Sequence, residues 1–435
     1  WMNSQNDLIR GGGVWTDFSV PTHGGEGAWW TAYWKGINSA NDLIAALNLR
    51  DPVADPWVTV KIAEARAIRA YLYHNLACLF GDLPLRLKPT NEIVLVLPRT
   101  PVQTIYDSVI LPDIEFADNK LPKVGNAGGH LSYGGVKALM VDVYMKLAGW
   151  RRSSQGQMIA GDPKYWAMAR DKAQEILDME NAGIYALEPS YSNLFTKLST
   201  DVSSSEIIFD IEYTALAGSN FPYVYGARGV GTTLGGGNRN SRPIPEWIRT
   251  RDNRDERYLW NIAPYEYVSG WTRSPLADTT AWGISTFQKI YPSTAYWADY
   301  LTDFPLYRLA DIKLLYAEAA NEANGGPTPE AYAQLNQVRY RARPADHKTD
   351  GTILPDLAEL SQEEFREAIM AERSMELVLE GKRHLDLVRW GNLKEKVEAN
   401  LSQPVSQAGM EMKFYLWSLP VADITTNGWQ NNEGY

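Results

Sequence analysis

The sequence predicts a mainly α-helical protein, a scaffold of tetratricopeptide-like helical hairpins with one long irregular, loop-rich insertion and little β structure. Three observations predict it. Apolar residues recur at three- and four-residue spacing over long stretches at both ends of the chain. Chemical start and stop signals bracket those stretches. Residues 190–305 lose the helical period, and Gly, Pro, Asn, Ser and aromatic residues dominate there instead.

In the first half, residues 30–47, 57–80, 105–117, 136–148 and 166–177 carry the helical period. Thr100 and Pro101 with Gln103 spell a capping box with proline at the first helical position, and Asp162 followed by Pro163 repeats the order of cap then proline. In the second half the pattern resumes over 306–323, with Leu309, Ile312, Tyr316 and Ala319 on one face, and stops at Asn324, Gly325 and Gly326. Thr328 and Pro329 start a helix that runs to about Arg343, and Ser361 with Glu364 forms a further capping box ahead of 365–379. Residues 306–343 therefore form an antiparallel pair about as long as one tetratricopeptide unit, and 133–180 a looser one. Between them, 206–213 reads as a short strand. Ordering a long irregular segment costs backbone entropy that specific contacts must offset, so function is expected in the stretch after that strand.

Residues 372–391 hold an acidic row. Glu372, Glu376 and Glu380 lie four apart on one helix face and repel one another unless cations lie against them. Arg373, Arg383 and Arg389 are the expected counter-ions, Gly381 the expected stop, and 385–397 a second amphipathic run that completes a helical hairpin. Three carboxylates in a row also suit acid–base chemistry. With an arginine near each acid in sequence, the row is assigned to architecture.

A chain of 435 residues, 45% apolar and 22% charged, buries a large core. No Pro/Ser-rich linker or charged tail divides it. It reads as one unit over 1–435, with a helical scaffold at about 28–180 and 306–398 and a ligand-binding region at about 190–305. The net charge of −10 argues against nucleic acid, which is held through clustered Lys and Arg. Apolar runs fall far short of the roughly 20 residues that span a bilayer. The chain opens on Trp1 with no basic segment, apolar signal core or small-residue cleavage site, which predicts that any targeting sequence has been removed. The single cysteine, Cys78, lies in a helical pattern and reads as core filler. The histidines (His23, His74, His130, His347 and His384) include no pair at metal-ligand spacing, and no Gly-x-Ser-x-Gly elbow occurs. The glycine run 229–237 lacks the Gly-Lys-Ser/Thr ending of a phosphate loop. No metal or other cofactor is expected.

Tryptophan is the compositional outlier, with 16 Trp against 10 Phe and 24 Tyr. Indole is costly to hide because its N–H needs a partner, so such a surplus leaves rings at the surface. Aromatic faces stack on the C–H faces of sugar rings, and planar polar groups such as Asn, Asp and Arg answer the hydroxyls. Trp271, Trp282, Tyr296 and Trp297 in the irregular segment, with Trp29 and Trp30 ahead of the first strong helix, are the candidate binding rings, with a glycan as their ligand on the family resemblance that the ordered stretches of this chain carry. Asp7, Arg10 and Asn240 are candidate polar partners. Any single ring is equally compatible with a place in a loop core.

Five stretches, in order, carry a resemblance. They are Glu64-Ala-Arg-Ala-Ile-Arg-Ala-Tyr-Leu-Tyr73 in the helix that leads into Gly81, Asp82, Leu83 and Pro84; residues 99–106; residues 306–319; residues 372–391; and the ending, Leu419 and Pro420 with 430–435. Together they resemble the SusD/RagB family of outer-membrane nutrient-binding lipoproteins of Bacteroidetes, over nearly the whole chain. The resemblance implies a helical, tetratricopeptide-like scaffold that caps a SusC-like TonB-dependent transporter barrel. It also implies anchoring to the outer leaflet through an N-terminal lipidated cysteine, which this sequence does not contain. Such proteins bind oligosaccharide or polysaccharide, and occasionally peptide, without breaking it, and no family motif fixes the binding rings onto this sequence. Two other readings compete. An α-helical glycoside hydrolase would show two exposed carboxyls about 5 to 10 Å apart across an aromatic cleft. A tetratricopeptide adaptor, or a peptide-binding family member, would hold peptide in its helical groove. The acids that can be placed are arginine-matched, which favours binding without cleavage.

Overall fold

The computed structural model describes residues 7–11, 24–90, 96–125, 128–200, 202–213, 241–244, 247–248, 250–263, 265–268, 272–275, 286–287, 302–400 and 415–435. Helices dominate. Gly24–Leu47 pairs with Trp57–Phe80, and Trp57–Phe80 packs on the helical run that begins at Val102–Ile105, widens into a π turn at Tyr106–Ile110 and ends as Leu111–Ala117. Tyr133–Ala148 pairs with Lys164–Asn181, which packs on Leu309–Asn324, and that helix in turn contacts Pro329–Ala342 and Gln362–Glu376. Hairpins from both ends of the chain thus stack into one scaffold around a common core that runs from Trp30 to Leu419. Close approach is built into the sequence: Ala63, Ala67 and Ala70 are fully buried on Trp57–Phe80, and a Cβ added at Gly36 would lie 2.7 Å from Leu72 Cδ1.

Several local signals act as read. The Ser361 side chain accepts from Glu364 N–H while the Glu364 carboxylate accepts from Ser361 N–H, completing the capping box. Thr328 caps Pro329–Ala342, and Asp162 accepts the Lys164 N–H at 3.1 Å at the start of Lys164–Asn181. The strand within 206–213 is Ile207–Ile211.

Others differ, each for a long-range reason. The box at Thr100 and Gln103 does not form, because Thr100 pairs with Leu83 in an isolated antiparallel bridge. The carboxylate of Asp82 caps that helix instead, accepting the Val102 N–H at 2.9 Å. The helix expected from residue 306 starts at Leu309, because Phe304–Arg308 is a strand paired antiparallel with Ile207–Ile211, Phe304 opposite Ile211 and Arg308 opposite Ile207. The run 385–397 breaks into Arg383–Trp390 and Leu393–Asn400 at Gly391, whose φ of 76° is left-handed and whose Cβ position is 2.8 Å from Trp150.

Glu372, Glu376 and Glu380 do come together, but the helix ends at Glu376, so Glu380 lies in the turn beyond it and not on the helix face, and the counter-ions are not the expected ones. Glu376 is fully buried and accepts from Arg308 Nη1 at 2.6 Å and from Arg341, with Arg257 at 3.3 Å. Glu372 meets Arg257 and, at 2.9 Å, Arg339. Glu380 takes Arg308 bidentately at 2.7 and 2.9 Å, and both Arg308 and Arg341 reach Glu206 at 2.9 Å. Adjacent helix positions point to different sides, so Arg373 faces away from Glu372. It binds Asp311 and Asp386 instead, while Arg383 binds Asp7 and Arg389 binds Glu318 and Asp386. Burial alone would raise the Glu376 carboxyl, but Arg341, Arg308 and Arg257 hold it well below the usual carboxylate range. The row ties the Ile207–Ile211 and Phe304–Arg308 strands to the helical stack.

Candidate functional site

An open groove among the described residues is built on Gly24–Leu47. Trp30, Trp34, Ile37 and Asn41 fall at four- and three-residue steps and so share a face. Trp30 is buried and meets Trp34, Phe80 and Trp429 edge-on, with ring centroids at 5.6, 5.0 and 6.4 Å. Trp34 stands on edge to Tyr73 at 5.6 Å.

The second wall is the segment from Pro84 to Thr90, and buried polar groups hold its backbone. The Tyr73 hydroxyl accepts the Arg86 N–H at 2.8 Å and donates to the Arg86 carbonyl at 2.9 Å. Asn41 donates to the carbonyls of Arg86 and Lys88, and is itself oriented by Arg69, whose guanidinium rests on Asp113. The third wall is the helix Val421–Asn427 with Trp429, whose indole donates to the Leu97 carbonyl at 2.7 Å, while Asn427 accepts the Leu97 N–H at 3.0 Å.

These walls enclose an open groove of about 610 Å³. Its aromatic floor is Trp30, Trp34 and Trp429, and Asn38, Arg86 and Asp423 are among its polar lining. Thr90 donates to Asn38 at 2.7 Å and Asn38 donates to Asp42 at 3.1 Å, so the amide is held in one orientation. The Trp34 indole nitrogen is buried without a hydrogen-bond partner. Burial raises the Asp423 carboxyl, against the opposing pull of Arg86 and of the hydrogen bond from Trp30. Aromatic faces beside fixed amides and charged forks suit a ligand with flat apolar faces and many hydroxyls.

Of the expected rings, Trp30 joins the groove, but as packed floor rather than as an open face, because Phe80, Trp34 and Trp429 surround it. Trp29 is 36% exposed and stacks on Tyr33 at 5.8 Å. Both lie inside the first helix, which begins at Gly24 and not after them. Trp271, Trp282, Tyr296, Trp297 and Asn240 lie outside the described residues. Asp7 is buried and bound bidentately by Arg383, so it is a structural anion, and Arg10 lies in the strand Ile9–Gly11 opposite Arg242. Sequence reasoning missed Trp34, Arg86, Asp423 and Trp429. The spacing of Trp34 from Trp30 could have found the first of these; nothing local marks the other three as neighbours.

A second, small cavity of about 70 Å³ is lined in part by His74, Cys78, Asp142 and Lys146. Cys78 is buried as expected, but among polar groups. Its sulfur lies 3.8 Å from His74 Nε2, the same nitrogen that faces Asp142 at 3.6 Å, while Nδ1 meets the Tyr106 hydroxyl at 3.1 Å. A thiol triad needs the acid on the far nitrogen, so this cluster is not a nucleophilic apparatus.

A stack of helical hairpins carrying an open aromatic groove defines a helical ligand-binding scaffold, and sequence comparison gives it a family. Residues 206–431 match the SusD family, and residues 13–131 match a family described as starch-binding associating with outer membrane. The first match spans more than half of the chain, and the chain belongs to the SusD family. SusD-like protein P2 of Formosa agariphila is 26% identical over 446 residues, covering 94% of this chain and 80% of that protein. Among solved structures, a SusD homolog from Bacteroides thetaiotaomicron VPI-5482 superposes with a TM-score of 0.84 at 23% identity, over 100% of this chain and 92% of its own. A laminarin binding SusD-like protein superposes with a TM-score of 0.76 at 22% identity, over 100% and 93%. At these identities the structural likeness establishes the fold.

Proposed function

We propose that the protein is a non-catalytic glycan-binding protein at the outer-membrane surface, which captures oligosaccharide or polysaccharide and hands it to a SusC-like TonB-dependent transporter. The observation that carries the reading is the open groove with Trp34 and Trp429 beside fixed polar side chains. Relatives of the same fold named as laminarin binding and as surface glycan-binding protein A support it. Among the described residues lining the groove, Asp423 is the one carboxylate, and the neighbours of the same fold are named for binding glycans. No helix among the described residues is long and apolar enough to cross a membrane, and attachment through a lipid anchor is part of the proposal.

Trp29 and the loop rings Trp271, Trp282, Tyr296 and Trp297 extend the platform in this reading, with residues 190–305 as a loop-rich binding region of one SusD-like unit. If each stacked sugar face removes about 100 Å² of apolar area from water, two rings contribute about 4 to 6 kcal/mol. Immobilising a flexible glycan offsets part of that and leaves a Kd of about micromolar to millimolar order, weak enough for cargo to be released. A glycan array with a peptide array beside it, followed by titration of the best ligand, tests the proposal. Trp34→Ala should weaken glycan binding by about 2 kcal/mol, with no rise in reducing ends over buffer. Peptide binding in place of glycan binding, or reducing-end release abolished by Asp423→Asn, refutes it.

A further inference from the structure

The charges in the groove carry the reading one step further, to the class of glycan. The chain is acid-rich, 52 Asp and Glu against 42 Lys and Arg, and most of its buried arginines are spent on carboxylates: Arg69, Arg257, Arg308, Arg341, Arg373 and Arg389 all form ion pairs, while Arg151 donates to the Gln103 amide. Arg86 is different. Among the described residues, neither its guanidinium nor the ammonium of Lys35 is in ion-pair contact, although Arg86 acts on the Asp423 carboxyl at a distance, and both cations line the groove.

The position of Arg86 is engineered from below. Its N–H and carbonyl are both held by Tyr73, and Asn41 holds the carbonyl a second time. Its guanidinium carbon lies 6.0 Å from the centroid of the Trp34 ring, at the outer reach of a cation–π contact. Against Arg86 and Lys35 stands, among the described lining residues, one carboxylate, Asp423, which already accepts the Trp30 indole. The groove therefore offers an excess of donors and positive charge within a negative protein. A planar guanidinium fork matches a carboxylate or a sulfate with two parallel hydrogen bonds. Resting on the glycan-binding reading, we propose that the groove selects glycans bearing an anionic substituent, a uronate carboxylate or a sulfate ester, seated on Arg86 with Lys35 as the second cation.

The test is titration against an array of uronate and sulfated oligosaccharides, each beside its carboxyl-reduced or desulfated counterpart. The anionic member of the binding pair should bind about tenfold or more tightly than its neutral counterpart. The difference should shrink as salt rises to about 0.3 M. Arg86→Gln should weaken the anionic ligand by about ten- to a hundredfold and its neutral counterpart by a much smaller factor, with Arg86→Lys intermediate for the anionic ligand. Thermal melts verify that the variants fold. Equal binding of both members, or anionic binding unaffected by Arg86→Gln, overturns this inference while the glycan-binding reading stands. Binding of no glycan from either set overturns the reading and this inference with it.

Discussion

Glu376 is the hub of the buried ion network, and Glu376→Gln tests the assignment of that network to architecture. The carboxylate is fully buried and faces Arg257, Arg308 and Arg341. Glutamine keeps the shape but removes the charge, and it turns an NH₂ group toward guanidinium donors, so the arginines lose an anion and gain a competitor. Breaking one partner out of a buried pair costs about 3 to 5 kcal/mol, because the remaining charge stays out of water. With 435 residues and an unfolding entropy of about 2.1 cal/mol/K per residue, each degree of Tm corresponds to about 0.9 kcal/mol, so Tm should fall by about 3 to 5 °C. Exposed Glu330, replaced in the same way, should shift Tm by less than about 1 °C. The carboxyl of Glu376 is depressed in the folded protein, so its contribution is present above the unfolded value of 4.5 and lost as pH falls through the folded one. The variant should therefore lose less stability than the parent on acidification below that value. Differential scanning calorimetry measures the shift, and glycan titration should remain at the parental affinity because Glu376 is not part of the groove lining. An unchanged Tm, or normal stability with lost binding, would refute the structural assignment.

Two further predictions probe the helical core. Burial alone would lower the His74 imidazole, but Cys78 and Asp142 beside it raise it to about 10. A raised folded pKa means stability that is full below the unfolded value of 6.5 and declines as pH rises toward about 10; the parent should lose Tm over that window more steeply than His74→Gln, and parallel curves would exclude His74 as the cause. Asp82→Ala strips the Val102 N–H of its acceptor and Ser154 of its partner. It should cost about 1 to 2 kcal/mol in chemical denaturation, and a cost near zero would mean that water serves the cap as well.

The sequence by itself determined what depends on neighbours within one or two turns. The helical period placed Trp57–Phe80 to the residue, Ser361 and Glu364 set the start of Gln362–Glu376, and the spacing of Glu372 and Glu376 announced a charged face. The ordered stretches of residues were enough to suggest the family, because they sit in that same scaffold. Tertiary structure decided which charges meet: Arg308 and Arg341 reach Glu376 from 68 and 35 residues away, while Arg373, only three residues from it, turns to Asp311 and Asp386. It also decided that Phe304–Arg308 would be a strand, since Ile207–Ile211 needs a partner that no local rule names. The groove belongs to the same class of fact. Trp34, Arg86 and Trp429 come from a helix, an extended segment and the end of the chain, and each is held by contacts such as Trp429 to Leu97 that span 332 residues. Periodicity and capping are short-range and leave their mark in a window of residues, whereas a binding surface is assembled by packing, which brings together positions that carry no common signal along the chain.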